Sequence, residues 1–360
     1  MHRISLLLIA GCCFLVLGVM AEDTRIPLIG ILMQNGHKEI EDMIPDPVNQ
    51  YTYVASSYVE WVSHTGATPV LIPYDMPTAR LRKILDNLNG VLLPGGGTIL
   101  KDENQKSSMY QIASEEILKY AEEKYDRQNI VFPIFAICLG FESVMMRYGG
   151  NAILTNGLND SHIDHPIILN ETAFISSKFF SKLDQSIMRG VLNKPAMYYS
   201  HNLGIRYDTL KLPEFLRIYD EVLLLGSSKT GIHHDGSEFV AMIEHKRYPI
   251  YGVQYHPEKI MFERQNHYWF MDRSTESLIL SNDIIATFVD IARETSKKYP
   301  SIPEWFKPHI ATYWTPINTG NSNFESMYVL PRYYAIVQPQ PNPTPIQERD
   351  FKASPKQFTQ

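Results

Sequence analysis

Cysteine is scarce in this 360-residue sequence: there are three, and two of them, Cys12 and Cys13, fall inside an apolar stretch at the beginning. With that stretch set aside, one thiol remains, Cys138. A single cysteine cannot form an internal disulfide, and it removes the cysteine pair that a zinc deaminase would need beside a His-x-Glu motif. Clustered basic charge is also missing. Lys and Arg number 33 against 39 Asp and Glu, a net charge of −6 with no basic stripe, which argues against a nucleic-acid partner. Past the first 21 residues, no run is long and apolar enough to cross a bilayer. The one glycine run, Gly95-Gly96-Gly97, is not followed by Lys-Ser/Thr and does not complete G-x-G-x-x-G, so nucleotide binding is not expected.

The first 21 residues read as an export signal. Met1-His2-Arg3 gives a positive start, Ile4 to Met20 is almost wholly apolar, and Val19-Met20-Ala21 precedes charged Glu22-Asp23 as a cleavage site would. An uncleaved anchor is the alternative, because the apolar run is longer than a usual signal core. Export points to the extracellular space or a lysosome or vacuole, and makes two sequons, at Asn159 and Asn170, plausible glycosylation sites. Hydrophobic content of 44% and charged content of 20% suit a soluble globular domain. That domain is placed at residues 25–310. Residues 311–360 read as a Pro/Gln-rich tail, because the composition shifts there and Val337 to Pro345 is VQPQPNPTP.

Periodicity supplies the fold class. Apolar strand runs at Pro27 to Gln34, Ala67 to Ile72, Gly90 to Leu93 and Val131 to Ile137 alternate with helical patterns at Tyr51 to Thr65, Thr78 to Leu88, Met109 to Lys124 and Leu139 to Tyr148. Such alternation implies βαβ units, hence an α/β fold with a mostly parallel, doubly wound sheet and helices on both faces. The second half is less regular, with short strand candidates at Ala196 to Tyr199, Val222 to Leu225, Phe239 to Glu244 and Ile250 to Gln254, and a last helix from about Leu278 to Lys297.

Three turns carry chemistry. Cys138 stands between an apolar strand and a helix, the setting of a nucleophile elbow, with small Ala136 and Gly140 two residues to either side. The helix N-terminus is expected to lower the thiol pKa; the alternative is an inert buried thiol. In Tyr255-His256-Pro257-Glu258 an apolar strand ends in a histidine, and Pro257 discourages helix there, so Glu258 can turn back toward the imidazole. A carboxylate orienting a histidine that activates a thiol is triad logic. Gly95-Gly96 ends a third strand, where backbone N–H groups can face a developing oxyanion. His162, Asp164 and His165, and the pair His233-His234, have loose metal-like spacing but read as solvated loop residues.

In this order, Leu93-Pro94-Gly95-Gly96, Cys138-Leu139-Gly140-Phe141-Glu142 and Gly252-Val253-Gln254-Tyr255-His256-Pro257-Glu258-Lys259 resemble the class I glutamine amidotransferase-like superfamily, and within it the γ-glutamyl hydrolase family, hydrolases of folate polyglutamates. Met33-Gln34 and Tyr53-Val54-Ala55-Ser56-Ser57-Tyr58-Val59 fit the same family. The resemblance implies Cys138 as nucleophile, His256 as proton carrier and Glu258 as its support. It implies oxyanion donors at Gly95, Gly96 and Leu139, and substrate contacts at Glu142, His201 and Tyr53. Two residues depart from the pattern: Ala136 stands where the elbow usually has Gly, and Gly97 where relatives often have Ser. The expected chemistry is acyl transfer needing no metal or organic cofactor, on a small folate polyglutamate, with a homodimer left open. The competing readings are a γ-glutamyl peptidase on glutathione-like thiols, a glutaminase subunit feeding a synthetase, and a non-catalytic binding protein on the same fold.

Overall fold

A computed structural model describes residues 26–35, 51–102, 104–158, 160–230, 236–265, 268–294, 303–319 and 324–333. The signal segment, Asn159, His233, His234 and the tail beyond residue 333 lie outside the described residues.

The strands are β1 (Leu28–Leu32), β2 (Gln34–Asn35), β3 (Tyr51–Ala55), β4 (Thr68–Ile72), β5 (Gly90–Leu93), β6 (Ile134–Ile137), β7 (Asp160–His165), β8 (Ile168–Leu169), β9 (Met197–His201), β10 (Val222–Lys229), β11 (Glu238–His245), β12 (Ile250–Val253), β13 (Ile317–Asn318) and β14 (Ser326–Pro331). The helices that matter here are α1 (Ser56–Ser63), α2 (Thr78–Leu85), α3 (Met109–Gln128), α4 (Leu139–Gly149), α5 (Glu171–Ile175), α6 (Gln185–Leu192), α7 (Pro257–Phe262) and α8 (Thr275–Glu294). The main sheet runs β4-β1-β5-β6-β12-β11-β10-β8. Its first five strands are mutually parallel, and β11, β10 and β8 extend it antiparallel. The expected mostly parallel sheet is therefore present, with an antiparallel flank.

The period of two along each strand divides the core between the two faces of the sheet. Ile29, Ile31, Leu92, Phe135, Ile137 and Val253 pack on one side with Trp61 of α1 and Leu280 and Phe288 of α8. Leu28, Leu32, Val91, Leu93, Ile134 and Ala136 pack on the other with Leu81 of α2, Ile117 of α3 and Phe141 of α4. Each large side chain so buried contributes about 1.5–3 kcal/mol. Helix α3 shows how sequence sets its ends. The Ser108 hydroxyl accepts from the Gln111 N–H, and Asn129 takes a left-handed φ of 51° to close the last turn.

Two expectations need correction, and they share one cause. Tyr51 to Ala55 is a strand, not the start of a helix; α1 begins only at Ser56. The ordered body does not end at residue 310, because β14 pairs antiparallel with β3, Val329 opposite Tyr53, in a small sheet β13-β14-β3-β2. The partners lie far apart in sequence, so neither strand signals the other locally. Tyr51, Tyr53 and Val54 are strand formers by propensity, and the reading that let them continue the helical period was overridden by this pairing.

Candidate active site

Strands β1, β5, β6 and β12 end at the same edge of the sheet, and each delivers one part of the site there. In open α/β sheets this carboxyl edge is where ligands bind. After β6 the chain turns through Cys138 with φ 49° and ψ −106°, a conformation that strains any residue but glycine, and α4 starts at once. The turn is held at both ends: Cys138 N–H donates to the Val253 carbonyl (2.9 Å), and the Cys138 carbonyl accepts from Glu142 N–H (2.9 Å). Close packing explains Gly140, since a Cβ there would lie 2.2 Å from the Leu93 carbonyl oxygen.

Gly95, after β5, is the meeting point. A methyl group added to it would sit 2.6 Å from His256 Cε1, 2.7 Å from Tyr58 Oη and 3.0 Å from Cys138 Cβ. The cysteine and the histidine, 118 positions apart by their numbers in the chain, thus border the same vacant methyl position. His256 follows β12; its backbone N–H donates to the Tyr198 carbonyl (2.9 Å), and its Nδ1 lies 2.8 Å from Glu258 Oε1. Donating Nδ1–H to that carboxylate leaves Nε2 as the proton-exchanging atom. Glu258 is completely buried, and Cys138 and His256 are each only 4% exposed.

Sequence reading assigned no role to Tyr58. Its hydroxyl oxygen accepts the Gly95 N–H (2.9 Å) and lies 3.3 Å from His256 Nδ1, so it ties the glycine turn to the histidine. Its position in α1 has the burial of an ordinary core residue, so periodicity gave no signal for it. The bond has a consequence for Gly95: that N–H is already committed, which leaves Gly96 and Leu139 as the backbone donors of the expected set. Tyr58→Phe should leave a buried N–H without its partner, costing about 1–3 kcal/mol of stability, and should loosen the histidine. A thermal melt run beside a turnover assay checks both effects; an unchanged melt would contradict the tie.

Electrostatics differ from the sequence expectation at the thiol. Burial pushes the Cys138 pKa well above its ordinary value, and the charges of Glu142 and Glu258 push it further. The Leu139 N–H at the helix start and the Lys259 ammonium pull it down, but by less. The net direction at the sulfur is upward, favouring the protonated thiol. A helix N-terminus is a partial charge, and a dehydrated site opposed by two carboxyl groups outweighs it.

The substrate candidates fall close to this centre. Glu142 is buried in the first turn of α4 and accepts from Gln254 Nε2 (3.1 Å). Burial raises its pKa to about 8, partly offset by the Gln254 amide. Because the folded-state value lies above the ordinary 4.5, stability is full at low pH and falls as pH rises from about 4.5 to about 8. Glu142→Gln should abolish that part of the pH dependence, up to about 1.4 kcal/mol per pH unit. Denaturant melts from pH 5 to 8 would show the variant gaining on the parent as pH rises; parallel curves would contradict the assignment. His201 ends β9, with Nδ1 2.7 Å from the Leu203 carbonyl oxygen and its ring packed on Phe239 (5.1 Å). The preceding Ser200 carbonyl lies 3.9 Å from Cys138 Sγ. Tyr53 is buried in β3 against Phe324 (6.2 Å), and it shares an electrostatic neighbourhood with Tyr110, Cys138 and Glu142.

Asn170 is exposed and caps α5 by accepting from Ala173 N–H with its side-chain oxygen, which leaves its amide nitrogen out of that bond. Among the described residues no group of three His, Cys, Asp or Glu is placed to hold a metal ion, and no helix is long and apolar enough to cross a membrane. A cavity of about 180 Å³ opens beside the first turn of α1, lined by Ser56, Ser57, Glu60, Glu263, Arg264 and Glu325 among others.

A strained cysteine at a strand-to-helix turn, on the carboxyl edge of a parallel sheet and beside a histidine paired to a buried glutamate, is the arrangement of a cysteine-type hydrolase. Comparison with known proteins agrees. The family model described as peptidase C26 matches residues 27–258, and the chain belongs to that family. Among curated proteins it is similar to gamma-glutamyl hydrolase of Homo sapiens, 28% identical over 327 residues covering 90% of this chain and 96% of that one. Gamma-glutamyl hydrolase B of Dictyostelium discoideum is 26% identical over 307 residues, 84% of this chain and 82% of the relative. Gamma-glutamyl hydrolase of Bos taurus is 27% identical over 312 residues, 86% and 91% respectively.

Proposed function

We propose that the chain hydrolyses the γ-glutamyl amide bonds of pteroyl poly-γ-glutamates through a thioester on Cys138. His256 Nε2 takes the thiol proton as sulfur attacks the γ-carbonyl carbon. The oxyanion is received by the N–H groups of Leu139 and Gly96. Protonated His256, steadied by Glu258, gives its proton to the departing amine, and neutral His256 then activates the water that opens the thioester.

The observation that carries this reading is the shared border of Cys138, His256 and Tyr58 at Gly95. Burial favours a γ-glutamyl over an α-peptide carbonyl: the γ-carbonyl ends a slender two-methylene arm, which suits a sulfur in a residue only 4% exposed. The names of the similar proteins support the γ-glutamyl class, and the apolar N-terminal segment, together with the sequons at Asn159 and Asn170, supports action in the extracellular space, lysosome or vacuole. The test is glutamate release from folate polyglutamate, free glutamine and glutathione assayed in parallel. Preference for the polyglutamate is expected. Preference for glutamine would favour a glutaminase, preference for glutathione a thiol-peptide peptidase, and no release from any of them a binding protein.

A further inference from the structure

Lys259, three residues after His256 on α7, is only 3% exposed. Its Nζ donates to Tyr268 Oη (3.0 Å) and lies 4.7 Å from the centre of the Tyr268 ring, 5.0 Å from Phe324 and 6.0 Å from Tyr198. Among the described residues it forms no ion pair with a carboxylate. A buried ammonium ordinarily has an anionic partner, because ring faces and one neutral hydroxyl only partly replace lost hydration. Two nearby carboxyl groups do not fill the role. Glu258 is engaged with His256, and Glu263 feels the Lys259 charge without pairing to it.

The lysine's surroundings connect it to the reacting groups. The Tyr198 ring that Lys259 faces also packs on the His256 ring at 6.0 Å, and Phe324 packs on Tyr53. Lys259 is therefore a buried cation without an ion-paired carboxylate among the described residues, sharing the Tyr198 ring with the catalytic histidine of an enzyme whose proposed substrate is polyanionic. In a γ-linked glutamyl donor the α-carboxylate remains free and stands three carbons from the carbonyl under attack. A donor whose α-carboxyl group is blocked as the carboxamide offers no charge at that position.

Resting on the γ-glutamyl reading above, we propose that Lys259 binds the α-carboxylate of the glutamyl group whose γ-carbonyl Cys138 attacks, inside a wall of Tyr198, Tyr268 and Phe324, and so sets the preference for a donor that carries this free carboxylate. The ring wall keeps water from the ion pair, which makes the charge decisive rather than screened.

The test compares two γ-glutamyl substrates with the same leaving amine, one with a free donor α-carboxylate and one with that group as the carboxamide. The wild-type chain should favour the acid by about 10²-fold in kcat/KM. Lys259→Met keeps the apolar stem and removes the charge; it should bring the ratio near one, chiefly through a higher KM for the acid. A melt of the variant establishes that it is folded. A folded Lys259→Met that keeps the full preference overturns the proposal, and so does a wild-type chain that cleaves both substrates equally, a result needing no variant. A wild-type chain that cleaves neither substrate overturns the γ-glutamyl reading itself, and this inference with it.

Discussion

Cys138→Ala is expected to lower turnover of a γ-glutamyl substrate by at least about 10⁴-fold, the order seen when a covalent nucleophile is removed. The fold should survive. The side chain lost is one sulfur, and the alanine Cβ occupies the position already packed against Gly95. The backbone keeps φ at 49° in either case, so the strain is common to both proteins. Cys138→Gly should be equally inactive but relieved of that strain, and should melt no lower than Cys138→Ala. Steady-state rates and thermal melts on the three proteins separate chemistry from folding. Turnover in folded Cys138→Ala within tenfold of the parent would remove the sulfur from the mechanism.

Glu258→Gln should reduce kcat by about 10³-fold with little change in KM. The carboxylate is completely buried and is the nearer partner of Nδ1, at 2.8 Å against 3.3 Å for the neutral Tyr58 hydroxyl, which cannot supply its charge. A glutamine can present its amide nitrogen to Nδ1, which forces the proton onto Nε2, the atom that must accept from the thiol. Presented the other way, it holds the right tautomer but no longer stabilises the imidazolium. Both outcomes act on the transition state and leave ground-state binding alone, hence the split between kcat and KM. A loss appearing mainly in KM would make Glu258 a substrate contact instead.

How far the sequence could be read differs across the molecule, for physical reasons. The parallel half was legible because βαβ units write their period locally: Leu28–Leu32, Gly90–Leu93 and Ile134–Ile137 are continuous apolar runs buried on both faces. The positions of Cys138 and His256 were legible because each ends such a strand, so neighbouring strands bring them together without any long-range guess. Strand β14 was not legible, since its partner β3 is far away in sequence and pairing leaves no local mark. Burial was not legible either. It reverses the expected direction at the thiol and turns Glu142 into a carboxyl that ionises only near pH 8. Tyr58 and Lys259 were passed over for the same reason. One reads as an apolar helix position and the other only closes the segment Gly252 to Lys259, and only the packed structure shows what their polar ends meet.

The central claim is a covalent γ-glutamyl thioester common to all substrates of this site. Partitioning with hydroxylamine tests it most directly: substrates sharing one glutamyl donor but carrying different leaving amines are hydrolysed in the presence of the nucleophile, and hydroxamate is measured against acid. The mechanism predicts one hydroxamate-to-acid ratio for every leaving amine, because each forms the same acyl-enzyme. A ratio that changes with the leaving amine would mean that water attacks the amide directly and that no thioester forms on Cys138.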